Sequence, residues 1–196
     1  MARPQILQGM DTLAYIRLLK NAATEEGQLI PYQTSLSFDP QRDSDTTQTK
    51  DGAVGTSSSL ETKIEVEFVN NISKVSDDLY NALIKNEKVE IWIVNISRKN
   101  SEGKVFSWYA QGSVTEDSSD NDPDDNSTRD VTFSVDGEPQ RGWLELPASA
   151  KEELAYVFRG LGVVSSADTT GKGTAWTDTD RGTGSATAAA TQTEHS

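Results

Sequence analysis

Residues 60–69 read LETKIEVEFV, and their strict alternation decides the fold. Ile64, Val66 and Phe68 face one way while Lys63, Glu65 and Glu67 face the other, because successive side chains of a strand project to opposite sides. A strand with one dry and one wet face belongs to an antiparallel sheet packed on one side only. Working outward, KVEIWIVNIS at 88–97 is apolar on both faces and rich in β-branched residues, which marks it as the candidate central strand. Strand patterns recur in LAYIRLL around residue 16 and in KVFSWYAQGSVT (104–115), RDVTFSV (129–135) and GWLEL (142–146). QLIPYQTSLSF at 28–38 places Ile30, Tyr32, Leu36 and Phe38 on one face, with Pro31 marking an edge or a strand start. The predicted fold is mainly β: an antiparallel β-sandwich or barrel with one or two short helices.

The helices are read from their ends. In SKVSDDLYNALIKN (73–86), Ser76 is the expected N-cap, Asp77 and Asp78 suit the positive end of the dipole, and Val75 is placed to staple against Tyr80. Leu79, Ala82 and Leu83 then share a face. In ASAKEELAYVFRG (148–160), Ser149 and Glu152 form a capping box, Leu154, Val157 and Phe158 make an apolar stripe, and Gly160 fits the C′ position. From Gly160 the composition turns to Gly, Ser, Thr and Ala with almost nothing to bury. The expected organisation is one domain over 1–159, interrupted by a long inter-strand loop at 39–59, followed by a flexible tail over 160–196.

Composition excludes several functions. The 196 residues carry 31 acids against 18 Lys and Arg, a formal charge of −13, and no basic run supplies a phosphate-binding patch. Cysteine is absent, so disulfides, thiolate nucleophiles and Cys-based metal sites are excluded. The single histidine, His195, lies in the tail, away from any packed nucleophile, which removes the Ser/His/Asp arrangement and histidine-based zinc sites. GKGT at 171–174 lacks the first half of a phosphate loop and has no flanking strand. No segment has signal-peptide or membrane-span character. Trp92, Phe106 and Trp108 read as core, whereas Trp176 is a large ring in a tail that should have none. No catalytic residue and no cofactor is expected.

Asp120, Asp122 and Asp124 have the D-x-D-x-D spacing that opens a calcium loop, with Asp125 beside them. Asp125 stands where that loop needs Gly, Val131 where it needs a bidentate Glu, and Pro123 restricts the turn, so these are weak metal candidates. The ordinary reading of 116–130 is a charged connection between strands ending near Thr115 and starting near Arg129.

The remaining puzzle is DPQRDSDTTQTKDG at 39–52, fourteen positions without a large apolar side chain between two strands. A long connection of this kind is either disordered or functional, and its Thr, Ser, Asp and Gln side chains suit contact with a neighbouring chain. The stretch ATEEGQLIPYQTSLSFDPQRDSDTTQTKDG, continuing through LETKIEVEFV, resembles the major tail proteins of long, non-contractile-tailed bacteriophages of Gram-positive hosts. The shared pattern includes Ala23 and Thr24, Gln33 and Thr34, the polar run Arg42–Asp45, and Thr49, Lys50, Asp51 and Gly52. LYNALIKNEKVEIWIV, YAQGSVTE, FSVDGEPQRGWLEL and the helix end AYVF fit the same family, over about residues 6–158.

The resemblance implies a tail-tube fold and a structural virion protein that self-assembles into stacked, hexameric rings, the tube for genome delivery. It implies that the polar excursion reaches a neighbouring subunit, and the residues expected to make those homo-oligomeric contacts are Asp39, Arg42, Asp43, Asp45, Thr49, Lys50, Asp51 and Gly52, with Arg42 and Lys50 pairing across the interface. It implies as partners a tape-measure protein, a tail terminator and a distal tail protein, with double-stranded DNA passing without being held and no membrane involved. The place of action is the phage tail, after synthesis in the host cytoplasm. Glu61, Glu65 and Glu67 either line the lumen, where they repel phosphate, or form a solvated outer face. Two other readings stay open: an acidic β-sandwich binding a carbohydrate or cell surface, with or without calcium, and a secretion-system tube of the same architecture.

Overall fold

The computed structural model describes residues 6–147, 159–165, 168 and 170–180. The chain divides into two compact units, Met1–Ala150 and Lys151–Ser196. The strands of the first are β1 (Thr12–Leu18), β2 (Gln28–Leu29), β3 (Gln33–Gln41), β4 (Ser44–Thr49), β5 (Gly52–Ser57), β6 (Glu61–Val69), β7 (Lys88–Lys99), β8 (Val105–Asp120), β9 (Thr128–Val135) and β10 (Gln140–Leu144), with helix α1 (Lys74–Lys85) between β6 and β7. Eight strands form one antiparallel sheet in the order β2-β1-β7-β8-β9-β6-β3, with β10 also on β8.

The long strand β8 belongs to both halves of this sheet. Its first part pairs with β7 on one edge and β10 on the other, and its second part pairs with β9. The sheet folds over so that Ala14, Ile16 and Ile91 from one half share a core with Ile64, Val66, Phe68 and Phe133 from the other. Gln33 ties the halves at their margin: its side-chain oxygen accepts from Ala14 N at 2.9 Å while its nitrogen donates to Ala14 O at 2.9 Å and Ile30 O at 2.8 Å. The alternation of 60–69 is realised in full, and β7 is buried on both faces because Tyr15, Val94, Val105 and Leu144 build a second apolar cluster on its outer side.

Helix α1 closes the core with Val75, Leu79 and Ala82. Its N-cap is Ser73, whose hydroxyl accepts from Ser76 N at 3.2 Å, and not Ser76, which lies buried in the first turn. Asn86 ends the helix in the left-handed region at φ 51°. Tyr32 also departs from expectation: Ile30 is buried, but Pro31 and Tyr32 turn the chain before β3, with Tyr32 at φ 57° and exposed.

Two connections are shorter than the sequence implies. The charged stretch 116–130 is mostly strand, since β8 runs on to Asp120 and leaves only 121–127 as loop. The polar excursion is no structureless loop: β3 continues to Gln41, and residues 44–57 form the β4–β5 hairpin, a separate two-stranded sheet. In the second unit, Gly160 N donates to Thr170 O and Gly162 N to Gly171 O, both at 2.9 Å, and Trp176 is exposed. A Cβ at Gly173 would sit 2.2 Å from Gly160 N, so this backbone pairing needs glycine. The capping box at Ser149 and Glu152, the stripe Leu154, Val157 and Phe158, and His195 lie outside the described residues.

Candidate assembly surfaces

The β4–β5 arm has no core. Its cross-strand neighbours are Thr46 with Gly55, Thr47 with Val54 and Gln48 with Ala53, and the one large apolar side chain, Val54, is exposed. Threonine favours extended backbone, and the ladder supplies the hydrogen bonds. The base is fixed: Ser58 N donates to Asp43 O at 2.8 Å, Asp43 N donates to Ser58 Oγ at 3.0 Å, and Arg42 Nη1 donates to Ser58 O at 3.2 Å. The tip is a two-residue turn, Lys50–Asp51, with Thr49 Oγ1 donating to Gly52 O at 2.6 Å. An isolated hairpin is marginally stable in water, and both outer edges of this one present unpaired ladder groups.

The expected contact residues therefore separate into three places. Asp39 is on β3 opposite Lys63, away from the arm. Arg42 and Asp43 stand at the base, Asp45 pairs with Thr56 along β4, and Thr49, Lys50, Asp51 and Gly52 make the tip. Base and tip are roughly 20 Å apart along the strand.

A second surface is the wet face of β6. Glu61 and Lys63 are exposed and Glu65 and Glu67 partly so, while β9 sets Asp130 directly opposite Glu67. Lys63 Nζ lies 3.0 Å from Glu65 Oε2, and this hydrogen bond holds the Glu65 carboxyl below its ordinary range and raises the Lys63 ammonium. Burial pushes the Asp130 carboxyl up, helped by the charge of Glu65 and by a hydrogen bond with it. Carboxylates outnumber cations on this face, so it repels polyanions.

Asp120, Asp122 and Asp124 are not brought together: among the described residues no three His, Asp or Glu side chains converge to hold a metal ion. Sequence reading missed the most buried polar group, Arg129. Its side chain is fully buried, its Nε donates to Asp117 Oδ1 at 2.7 Å, its Nη1 donates to Ser76 Oγ at 2.6 Å and Ser76 O at 3.0 Å, and its guanidinium stacks on Tyr80 at 3.4 Å. This latch holds the first turn of α1 against β8 and β9. The signal was present: Arg129 alternates in phase with Val131 and Phe133, which point into the core.

The described residues of the first unit thus define a folded-over antiparallel sandwich with a two-stranded arm and an open acidic face. The chain belongs to the phage tail tube protein family, whose model matches residues 6–141. Among solved structures it is similar to the SPP1 tail tube, determined by solid-state NMR and cryo-EM, at 15% identity and a TM-score of 0.66, over 80% of this chain and 91% of that one. It is also similar to a gene transfer agent tail refined with C6 symmetry, at 11% identity and a TM-score of 0.53, over 70% of this chain and 99% of that one. These identities bear on the fold alone. No curated protein matches the chain in sequence.

Proposed function

We propose that the chain is the repeating subunit of a phage tail tube, closing into hexameric rings that stack into a hollow conduit for double-stranded DNA. The observation that carries this reading is the β4–β5 arm, a hairpin with uncovered edges and no core, which a neighbouring copy would complete. Family membership and the sixfold symmetry of a tail with the same fold support it. Arg42 and Asp43 at the arm's base and Thr49–Gly52 at its tip make the contacts between subunits, with Asp39 contributing separately from β3. The face bearing Glu61, Glu65 and Glu67 turns toward the lumen, where like charge keeps phosphate from adhering. The role is structural rather than enzymatic. Its partners are further copies of itself, a tape-measure protein, a tail terminator and a distal tail protein; the chain is made in the host cytoplasm and acts in the virion tail.

The test is removal of residues 44–57, bridged by two glycines, which the hydrogen bonds between Asp43 and Ser58 leave geometrically simple. The deletion is expected to melt as the full-length monomer does and to form no rings or tubes in negative stain or light scattering. Val54→Asp, an exposed change in the arm, is expected to weaken assembly without altering the melt. Tubes from the deleted chain at wild-type concentration would end this account of the arm.

A further inference from the structure

Opposite ends of β8 carry opposite charge. At its start the inner face of the sheet runs past the core and ends in a ladder of rings and guanidinium groups. Phe38 meets Trp108 at 5.1 Å, Trp108 meets Phe106 edge-on at 6.2 Å, and Phe106 meets Trp143 edge-on at 5.7 Å. Arg98 lies 3.9 Å over Phe106 and 5.7 Å from Trp143, and Arg141 lies 5.3 Å over Trp108. Arg98, Arg141 and the neighbouring Lys99 are exposed, Trp143 is 45% exposed, and among the described residues neither arginine has a carboxylate partner. This is an unusual concentration of cations in a chain of formal charge −13.

At the far end of the strand sits DNDPDD (120–125), four aspartates in six positions without a Lys or Arg among them. The loop's C-terminal end is anchored: Ser127 O accepts from Asn70 N at 2.8 Å, and Ser127 Oγ donates to Asn121 Oδ1 at 2.7 Å. Its tip residues Asp122, Asp124 and Asp125 are exposed, and none makes an ion pair among the described residues. From Phe106 to Asp120 is fourteen steps of one strand, a contour on the order of 45 Å that sets the two patches at its opposite ends.

We propose that the acidic tip of one copy docks on the Arg98–Arg141 aromatic ladder of the next. The proposal rests on the reading of the chain as a self-assembling subunit and names one contact within that assembly. Two complementary patches at opposite ends of a molecule make a heterologous, head-to-tail contact, which propagates rather than closing as a dimer. Aromatic rings with arginine are the composition of interface anchors, and carboxylates are what two exposed guanidinium groups without acid partners would recognise. A second copy is favoured over nucleic acid because the chain, at a formal charge of −13, repels phosphate as a whole while its own DNDPDD loop supplies the carboxylates.

Charge reversal tests it. The patch variant R98E/R141E and the tip variant D122K/D124K change only exposed side chains and are expected to melt as wild type. Each alone is expected to raise the concentration needed for tube formation about tenfold or more at low salt. A 1:1 mixture of the two variants, and the chain carrying all four changes, are expected to assemble again because the complementarity is restored. Wild type that never assembles removes the underlying reading. Wild-type tubes together with unimpaired single-patch variants overturn the contact, as does failure of both the mixture and the fourfold variant. Binding of DNA oligonucleotides by the wild-type monomer, lost in R98E/R141E while tubes form normally, would reassign the ladder to nucleic acid.

Discussion

Arg129→Met should be among the most damaging single substitutions in the sandwich. The Arg129 and Asp117 side chains are 0% and 1% exposed, so removing the guanidinium leaves a carboxylate buried with no cation. Breaking a buried pair from one side costs about 3–5 kcal/mol, because the remaining charge keeps its desolvation penalty. The same change strips Ser76 O and Oγ of a donor and Tyr80 of its stacked cation, loosening the first turn of α1. Against a total stability of roughly 5–15 kcal/mol, that is about a fifth of the fold at the least. For a domain of this size it lowers Tm by about 6–20 °C. Charge rather than shape is responsible, so Asp117→Leu added to Arg129→Met should recover about 1–2 kcal/mol despite altering a second buried site. Urea denaturation of the monomer below its assembly concentration measures both variants against wild type. A loss below about 1 kcal/mol for R129M, or a double variant no more stable than R129M, would refute the buried-charge reasoning.

Other outcomes follow from the same geometry. Ser73→Ala removes the side-chain cap on Ser76 N and should cost about 1 kcal/mol, read as a small fall in the urea midpoint, whereas an unchanged midpoint would return the cap to another residue. Asp130 has its folded pKa above its unfolded value, so the folded state keeps a proton the unfolded chain has released, and stability falls as pH rises through the folded value. Asp130→Asn should therefore be more stable than wild type at neutral pH, with an advantage that shrinks as pH falls toward the ordinary aspartate range; a difference independent of pH counts against the shift. Neutralising the wet face with E61Q/E65Q/E67Q should leave tube formation intact and make tubes co-sediment with double-stranded DNA. Tubes that stay free of DNA, in phage ejecting at the normal rate, would place that face outside the lumen.

The core was legible because burial imposes periodicity: Ile64, Val66 and Phe68 announce an inner face, and β7 announces coverage on both sides. The arm was not, because SDTTQT and GAVGTS carry no apolar alternation; their pairing is held by backbone ladder bonds that leave little mark on side-chain choice. The last residues of β8, TEDSSD, also read as loop by composition, because they pair with β9 through Glu116, Asp117 and Ser118 without an apolar side chain and the burial of Asp117 depends on Arg129. The N-cap was placed three residues late because Ser73 and Ser76 are chemically alike, and the choice is made by Arg129, which takes the hydroxyl of Ser76 from fifty-three residues away. Tyr32 left its expected face because Pro31 begins a turn, and a turn breaks the phase on which the alternation argument depends.

The arm and the two ends of β8 bear differently on how such a subunit grows. Ordering backbone costs on the order of 1–2 kcal/mol per residue, and the arm residues whose burial is described are all exposed, so they offset little of it within their own molecule. A neighbour that adds ladder bonds along an arm edge therefore spends part of that contact on conformational order, so a first encounter through the arm alone is weak. Salt-screened attraction between the aspartate tip and the arginine ladder acts before contact and needs little ordering, since the tip is tethered at Asn70 and the rings are packed. Electrostatics would then set how fast copies meet, and the arm would set how long they stay. Raising salt should slow elongation more than it speeds disassembly of finished tubes, whereas truncating the arm should shorten their lifetime; equal effects of salt on both rates would mean that one surface does both jobs.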